Sequence, residues 1–171
     1  MNKQSIKRRN PIYINIGMAI TLCLLGAFLG RQVFSGKIHS KAAFDEVALK
    51  LTQSLDPEAY PQVETSAFRR YIDLDPAEFN EIRMYRNEDL MSAGEMVIAH
   101  FDNSQAAKAF ETAIQNRITS QHDIYSGYAP EQTAMMENAL VDIQDNYGFY
   151  YVGDNPAGVD GVFLSALKGG Q

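Results

Sequence analysis

The sequence predicts an α+β fold in which an N-terminal transmembrane helix precedes a two-layer sandwich, a four-stranded antiparallel sheet with helices on one face. Three observations predict it: an uncharged apolar run near the N-terminus, two pairs of short β-rich segments, and amphipathic helical segments around them. The loops within each strand pair are short, and parallel strands need a much longer crossover. We therefore expect an antiparallel sheet and not a doubly wound parallel one.

Charge divides the 171-residue chain into two unequal parts. Residues 1–10 contain four bases and no acid, whereas residues 31–171 contain 11 bases and all 21 acids, a net charge of −10. Such an acidic domain repels phosphate backbones, and it offers no basic stripe from which counterions are released on binding. We therefore expect no nucleic-acid partner.

The apolar run predicts a membrane anchor. Residues 12–30 (IYINIGMAITLCLLGAFLG) carry no charge, and as a helix they are about 28 Å long, close to the roughly 30 Å hydrocarbon core of a bilayer. Because bases precede the run, the positive-inside rule puts the N-terminus in the cytoplasm. We predict a cytoplasmic tail over 1–11, a signal anchor surrounded by membrane lipid over 12–30, a spacer over 31–41 and an extracytoplasmic domain over 42–168.

Two other interpretations of the apolar run stay open. A cleaved signal peptide has a shorter apolar core, of roughly 7–15 residues, and an Ala-x-Ala-like site, neither of which is evident. Lipidation at Cys23 requires a small residue before the cysteine, where this chain has Leu22. Cys23 is also the single cysteine, so no disulfide forms within the chain.

Two glycines in the run have the spacing of a helix-dimer contact. Gly26 and Gly30 lie on one face of the predicted helix, where a second backbone can approach closely. They are our candidate contact for a homodimer. The simpler explanation is the high glycine content of membrane helices in general.

The first half of the domain predicts three helices and a strand pair. Residues 42–55 have apolar side chains at helical spacing, and a shorter helix is predicted over 67–72. Strands are predicted over 82–85 and 95–101. Asp102 begins a segment with capping-box spacing that opens a helix, whose apolar face fades by about residue 121.

The second half predicts a hairpin between two helices. Pro130 suits the first turn of a short helix, and residues 139–144 and 149–152 predict strands joined at Asp145–Asn146. Asn155 can cap the closing helix. The buried stripe of that helix is predicted to comprise Val159, Phe163, Ala166 and Leu167.

Motifs of catalysis and cofactor binding are missing from the sequence. It has no Gly-x-Ser-x-Gly elbow, no Gly-x-Gly-x-x-Gly and no Walker loop, and His39, His100 and His122 are far apart. We therefore expect no enzymatic activity, no cofactor and no resident metal.

An acidic cluster leaves one metal alternative open. Asp73, Asp75, Glu78 and Glu81 lie within nine residues, but the ligand order and glycine of an EF-hand are missing. Because Asp75 precedes Pro76, we interpret it as a helix cap and not as a calcium ligand.

Tyrosines supply the remaining candidate site. Tyr125, Tyr128, Tyr147 and Tyr150 lie in the second half of the domain, and exposed aromatic faces commonly recognise sugars or proteins. We name them as a candidate recognition surface. The alternative is that these tyrosines are half-buried and pack against the core, as most aromatic residues at strand spacing do.

The segment SGYAPEQTAMMENALVDIQDNYGFYYV, which begins at Ser126, resembles a bacterial domain-of-unknown-function family, the one numbered forty-three fifty-eight. Tyr128, Pro130, the strand through Val141 and the Asn146-Tyr147-Gly148 hairpin match its pattern, and the resemblance covers roughly residues 42–165. Members, mostly Gram-positive, combine an N-terminal anchor or lipid signal with one small outer domain. The resemblance implies location and fold, and it implies no activity.

These observations predict a non-enzymatic module of the cell envelope whose outer domain binds an envelope protein or a cell-wall component. The alternative is an envelope hydrolase acting on cell-wall or peptide substrates, with acids such as Glu131 or Asp142 working in a cleft.

Overall fold

A computed structural model describes residues 37–56 and 58–169 of the chain. The predicted tail, the predicted membrane helix with Gly26 and Gly30, and the first part of the spacer lie outside the described residues. Among those that are described, no helix has the length and apolar character needed to cross a bilayer.

The described residues form five α-helices, one 3-10 turn and four strands. In chain order these are α1 Phe44–Thr52, α2 Thr65–Tyr71, the turn Pro76–Glu78, β1 Glu81–Arg86, β2 Glu95–His100, α3 Ser104–Ser126, α4 Pro130–Glu137, β3 Leu140–Ile143, β4 Tyr147–Val152 and α5 Pro156–Lys168. Over the described residues, the predicted order of helix, two strands, helix, short helix, two strands and helix is confirmed, and the shorter helix predicted over 67–72 is α2.

The strands form one antiparallel sheet in the order β1-β2-β4-β3. Both predicted hairpins are present, and β2 and β4, which no short loop joins, pair at the centre of the sheet. Segments α3, α4 and β3 separate these two strands in the chain, so their pairing depends on tertiary packing.

Helices cover both faces of the sheet, and the prediction of helices on one face was wrong. One apolar cluster joins α1 and α5 to residues such as Met96 and Phe149, and another joins α2, α3 and α4 to residues such as Val97 and Tyr150. The physical reason is visible in β2 and β4, where consecutive residues are buried, as in a strand with no solvent face.

Both ends of α3 differ from the predicted ones. The Asn103 side chain accepts a hydrogen bond from the backbone N–H of Ala106 at 2.9 Å, so Asn103 and not Asp102 caps α3. The helix also runs to Ser126, beyond the predicted end at residue 121, because Tyr125 is buried in its last turn.

Two predicted caps are confirmed. The Asp75 carboxylate accepts from the N–H of Ala77 at 3.1 Å and caps the 3-10 turn. Asn155 caps α5 from a left-handed conformation, φ 51°, accepting from the N–H of Gly158 at 3.2 Å. The predicted stripe of α5 is buried throughout.

Candidate functional site

The loop between β1 and β2, residues 87–94, is fixed by its own hydrogen bonds. The Asn87 side chain accepts from the N–H of Asp89, and the Asp89 carboxylate accepts from the N–H of Met91, both at 2.9 Å. A backbone bond from Glu88 to the carbonyl of Ala59, 2.9 Å, joins the loop to the segment before α2. The loop therefore has a defined conformation.

Two helices hold the far side of the same loop. The N–H of Ala93 donates to the Gln132 side chain of α4 at 2.7 Å, and the Tyr125 hydroxyl of α3 donates to the carbonyl of Ser92 at 3.0 Å. The loop is thus attached to two of the three helices that cover this face of the sheet.

A buried ionic cluster lies at the base of the loop, where Arg86 of β1 pairs with Glu95 of β2. Glu95 is 2% exposed, and Arg117 of α3 donates to both of its carboxylate oxygens at 2.9 and 2.8 Å. The Tyr150 hydroxyl donates to the same carboxylate at 2.9 Å, while Arg86 Nε lies 3.4 Å away and its guanidinium lies over the Tyr71 ring. The cluster ties the loop base to α3 and β4.

Arg117 and Tyr150 both keep their protons at physiological pH. Burial alone lowers the pKa of Arg117, but the hydrogen bond and charge of Glu95 outweigh it, so that pKa is raised. Burial, and then Glu95, raises the pKa of Tyr150 well above its usual value. The hydroxyl therefore stays protonated and donates to the Glu95 side chain, so the cluster holds the base of the loop in place.

Apolar side chains project from this fixed loop into solvent. Leu90 is 84% exposed and Met91 58%, and Tyr128, in the turn between α3 and α4, is 57% exposed. Beside them is a cavity of about 390 Å³ lined by Met91, Tyr128, Ala129, Pro130, Glu131 and Gln132. We call Leu90, Met91, Tyr128 and this cavity the β1–β2 loop surface.

Acidic side chains lie in the two segments that form the loop surface. Glu88, Asp89 and Glu131 are all exposed, and residues 87–94 and 124–137 contain four acids and no Lys or Arg. Contiguous apolar exposure with a polar rim is typical of an interaction site.

The four predicted tyrosines do not form one exposed surface, so that prediction is corrected. Tyr147 and Tyr150 are fully buried and lie on opposite faces of the sheet, since β4 side chains alternate, and Tyr125 is 4% exposed. Tyr128 alone among the four is exposed, with its ring 6.0 Å from that of Tyr125.

A carboxyl pair forms a second ionisable site. Burial and then the neighbouring Asp142 of β3 raise the pKa of Asp160 of α5 to about 6. Asp142 also accepts from the Gln144 side chain at 2.6 Å. Asp142 lies opposite Phe149, on the α1–α5 face, whereas Glu131 lies on the other side at the start of α4. The two acids named for a hydrolase are therefore not brought together.

Two of the histidines and Asp75 of the acidic cluster have ordinary partners. His39 lies 2.6 Å from Asp145, His100 stacks on Tyr147 with centroids 4.7 Å apart, and Asp75 pairs with Arg69. Over residues 37–56 and 58–169, no three His, Cys, Asp or Glu side chains converge in the manner of a metal site.

Leu90, Met91 and the Glu95–Arg117 pair were missed by the sequence reasoning. The signal for the first two is faint but present, because two adjacent large apolar residues stand in an otherwise polar loop, residues 87–94. Glu95 and Arg117 are separated by 22 residues at no characteristic spacing, so no local pattern predicts their contact.

The family described as Domain of unknown function (DUF4358) matches residues 53–153, more than half of the chain. The match includes the β1–β2 loop, the ionic cluster and α4, and it ends before α5. No curated protein and no solved structure matches the chain. The chain belongs to the DUF4358 family of domains of unknown function.

Proposed function

We propose that this chain is a single-pass membrane protein whose extracytoplasmic domain binds another component of the cell envelope through the β1–β2 loop surface. The uncharged run over residues 12–30 and the bases before it support the placement. The observation that carries the binding role is the exposure of Leu90 and Met91 on a loop that is already fixed, with Tyr128 exposed at the same cavity as Met91.

Fixed apolar side chains favour association for two reasons. Covering a side chain such as Leu or Met is worth about 1.5–3 kcal/mol, and three of them together supply much of the free energy of a specific contact. Because hydrogen bonds and the Glu95 cluster already order the loop, binding does not have to order it.

Photocrosslinking in intact cells tests the binding role. A photoreactive amino acid replaces Leu90 in one variant and Leu49 in another; Leu49 is 58% exposed but belongs to α1, on the other face of the sheet. We expect a discrete crosslinked species from position 90 and none from position 49. No crosslink from position 90, or the same product from both positions, would contradict the proposal.

Protease accessibility tests the placement. We expect a C-terminal tag on the full chain to be cleaved by protease added to intact spheroplasts, because residues after the apolar run face outward in this proposal. Cleavage only after lysis would contradict it.

One observation supports the alternative of an envelope hydrolase. Asp142 and Asp160 form a carboxyl pair in which one pKa is raised to about 6, and acid–base catalysis uses two carboxyl groups with separate pKa values. This alternative predicts release of fragments from peptidoglycan or peptides that is lost in Asp160→Asn. The loop surface has no part in it, so Leu90→Ser would leave hydrolysis unchanged.

A further inference from the structure

We propose that the β1–β2 loop surface binds a basic amphipathic segment of a partner protein, with apolar side chains in the cavity and Lys or Arg side chains against the acidic rim. This inference rests on the proposed function and adds the chemistry of the partner. Two features of one surface carry it: exposed apolar side chains, and the acidic rim formed by Glu88, Asp89 and Glu131.

The rim charge is concentrated where the apolar side chains project. Glu88 and Asp89 directly precede Leu90 in the chain, and Glu131 lines the cavity. The nearest base in sequence, Arg86, is 19% exposed and is held between Glu95 and a tyrosine ring. The surface therefore presents a negative potential that attracts a cationic partner and opposes an anionic one.

The same charges disfavour two other occupants. A two-fold contact between copies of this chain would place each acidic rim against its equivalent, and like charges across an interface are unfavourable. An anionic lipid surface would be repelled in the same way. A basic protein segment is the occupant that matches both the apolar area and the charge.

Tyr128 provides a contact for either part of such a segment. Its exposed ring borders the cavity, so its face can pack against an aliphatic side chain or lie under an ammonium or guanidinium group. A helix that presents apolar anchors at i and i+3 or i+4, with bases beside them, fits this arrangement.

Binding of defined peptides to the full-length chain in phosphatidylcholine nanodiscs tests the inference. The probes are a short fluorescent amphipathic peptide of Leu and Lys, the same peptide with Glu for Lys, and the same peptide with Ser for Leu. Fluorescence anisotropy measures binding, and empty nanodiscs give the lipid background.

Three variants distinguish the contribution of the acidic rim to peptide binding from that of the overall negative charge and of the apolar side chains. The rim variant carries Glu88→Gln, Asp89→Asn and Glu131→Gln, and the amide introduced by Asp89→Asn keeps a side-chain acceptor for the N–H of Met91. The matched control neutralises three other exposed acids, with Glu46→Gln, Glu64→Gln and Glu111→Gln. A third variant, Leu90→Ser with Met91→Ser, removes the apolar contacts.

We expect the Leu–Lys peptide to bind in preference to both other peptides. The rim variant should weaken this binding about tenfold, the combined effect of three exposed charge pairs, and the matched control by less than about twofold. Equal binding of the Glu peptide, equal weakening by the matched control, or no loss in the Leu90 and Met91 variant would overturn the inference.

The crosslinked partner distinguishes this inference from the proposed function. If position 90 crosslinks to a protein whose crosslinked peptide, identified by mass spectrometry, has no Lys or Arg beside its apolar residues, the proposed function stands and this inference fails. If the product is a second copy of the chain, the inference fails as well. If position 90 gives no crosslink in cells, the proposed function itself fails.

Discussion

At the scale of single residues, Arg117 decides whether the base of the loop stays fixed. Arg117→Met leaves the buried Glu95 carboxylate with only the longer Arg86 contact and the Tyr150 hydroxyl. Removing one partner of a buried ion pair is strongly destabilising, so we expect a loss of about 3 kcal/mol in the free energy of unfolding. Chemical denaturation of the detergent-solubilised chain measures it.

The control for this prediction is another arginine. Arg70 of α2 is exposed, and Arg70→Met should change the free energy of unfolding by less than about 0.5 kcal/mol. Amide exchange at residues 87–94 should accelerate in Arg117→Met and not in Arg70→Met. Equal stability of the two variants would show that the cluster does not support the loop.

Asp160 gives a prediction of pH dependence. Its pKa is raised to about 6 in the folded chain from the ordinary 3.8, so between these values the folded state holds more protons than the unfolded state. The free energy of unfolding therefore falls as pH rises from about 4 to 6 and has lost this contribution above pH 6. Asp160→Asn removes the repulsion from Asp142 and should flatten this fall.

The gain in the free energy of unfolding that we expect from Asp160→Asn is modest, because Asp160 is partly exposed. At pH 7.5 we expect Asp160→Asn to be more stable than the wild type by about 1 kcal/mol, well below the roughly 3 kcal/mol that 1.36 kcal/mol per pKa unit gives without solvent screening. Glu111→Gln, at an exposed position of α3, is the control and should keep the wild-type slope. If the free energy of unfolding of Asp160→Asn fell more steeply with pH than that of the wild type, the assignment of the raised pKa to Asp160 would be refuted.

At the scale of elements, the start of α3 tests which of two adjacent residues caps it. Asn103 has extended backbone angles and accepts from the N–H of Ala106, whereas the Asp102 side chain accepts from Asn80. We expect Asn103→Ala to cost about 1 kcal/mol and Asp102→Ala clearly less. Thermal denaturation of the two variants measures the difference, and the reverse order would restore the cap that the sequence predicts.

The start of α3 shows why the presence of a helix can be predicted from the sequence although its exact ends cannot. Asp and Asn are both good caps, so spacing alone does not choose between Asp102 and Asn103, and the conformation of the preceding loop decides. The length of α3 depends likewise on Tyr125, whose burial against the β1–β2 loop extends the helix. Such a contact has no local signature.

At the scale of the whole molecule, the hairpins were predictable and the layers were not. Turn residues such as Asp145 and Asn146 identify a hairpin locally. Whether a sheet has one covered face or two depends on the central strands, where Met96 and Val97 are buried on opposite faces. The candidate site could not be predicted for the same reason. Leu90 is exposed because none of the described helices packs over it, and the sequence does not show where the helices pack.

Two covered faces on one sheet predict a single cooperative unit. Phe110 of α3 and Phe163 of α5 are fully buried on opposite faces of the sheet, and replacing either with Ala should cost about 3–5 kcal/mol. Because both clusters share β2 and β4, each variant should unfold in one transition, with the same midpoint for tyrosine fluorescence and for helical circular dichroism. An earlier, separate loss of helix in Phe163→Ala would instead show that α1 and α5 unfold from the sheet on their own, and the family match, which ends before α5, would then mark a real boundary of stability.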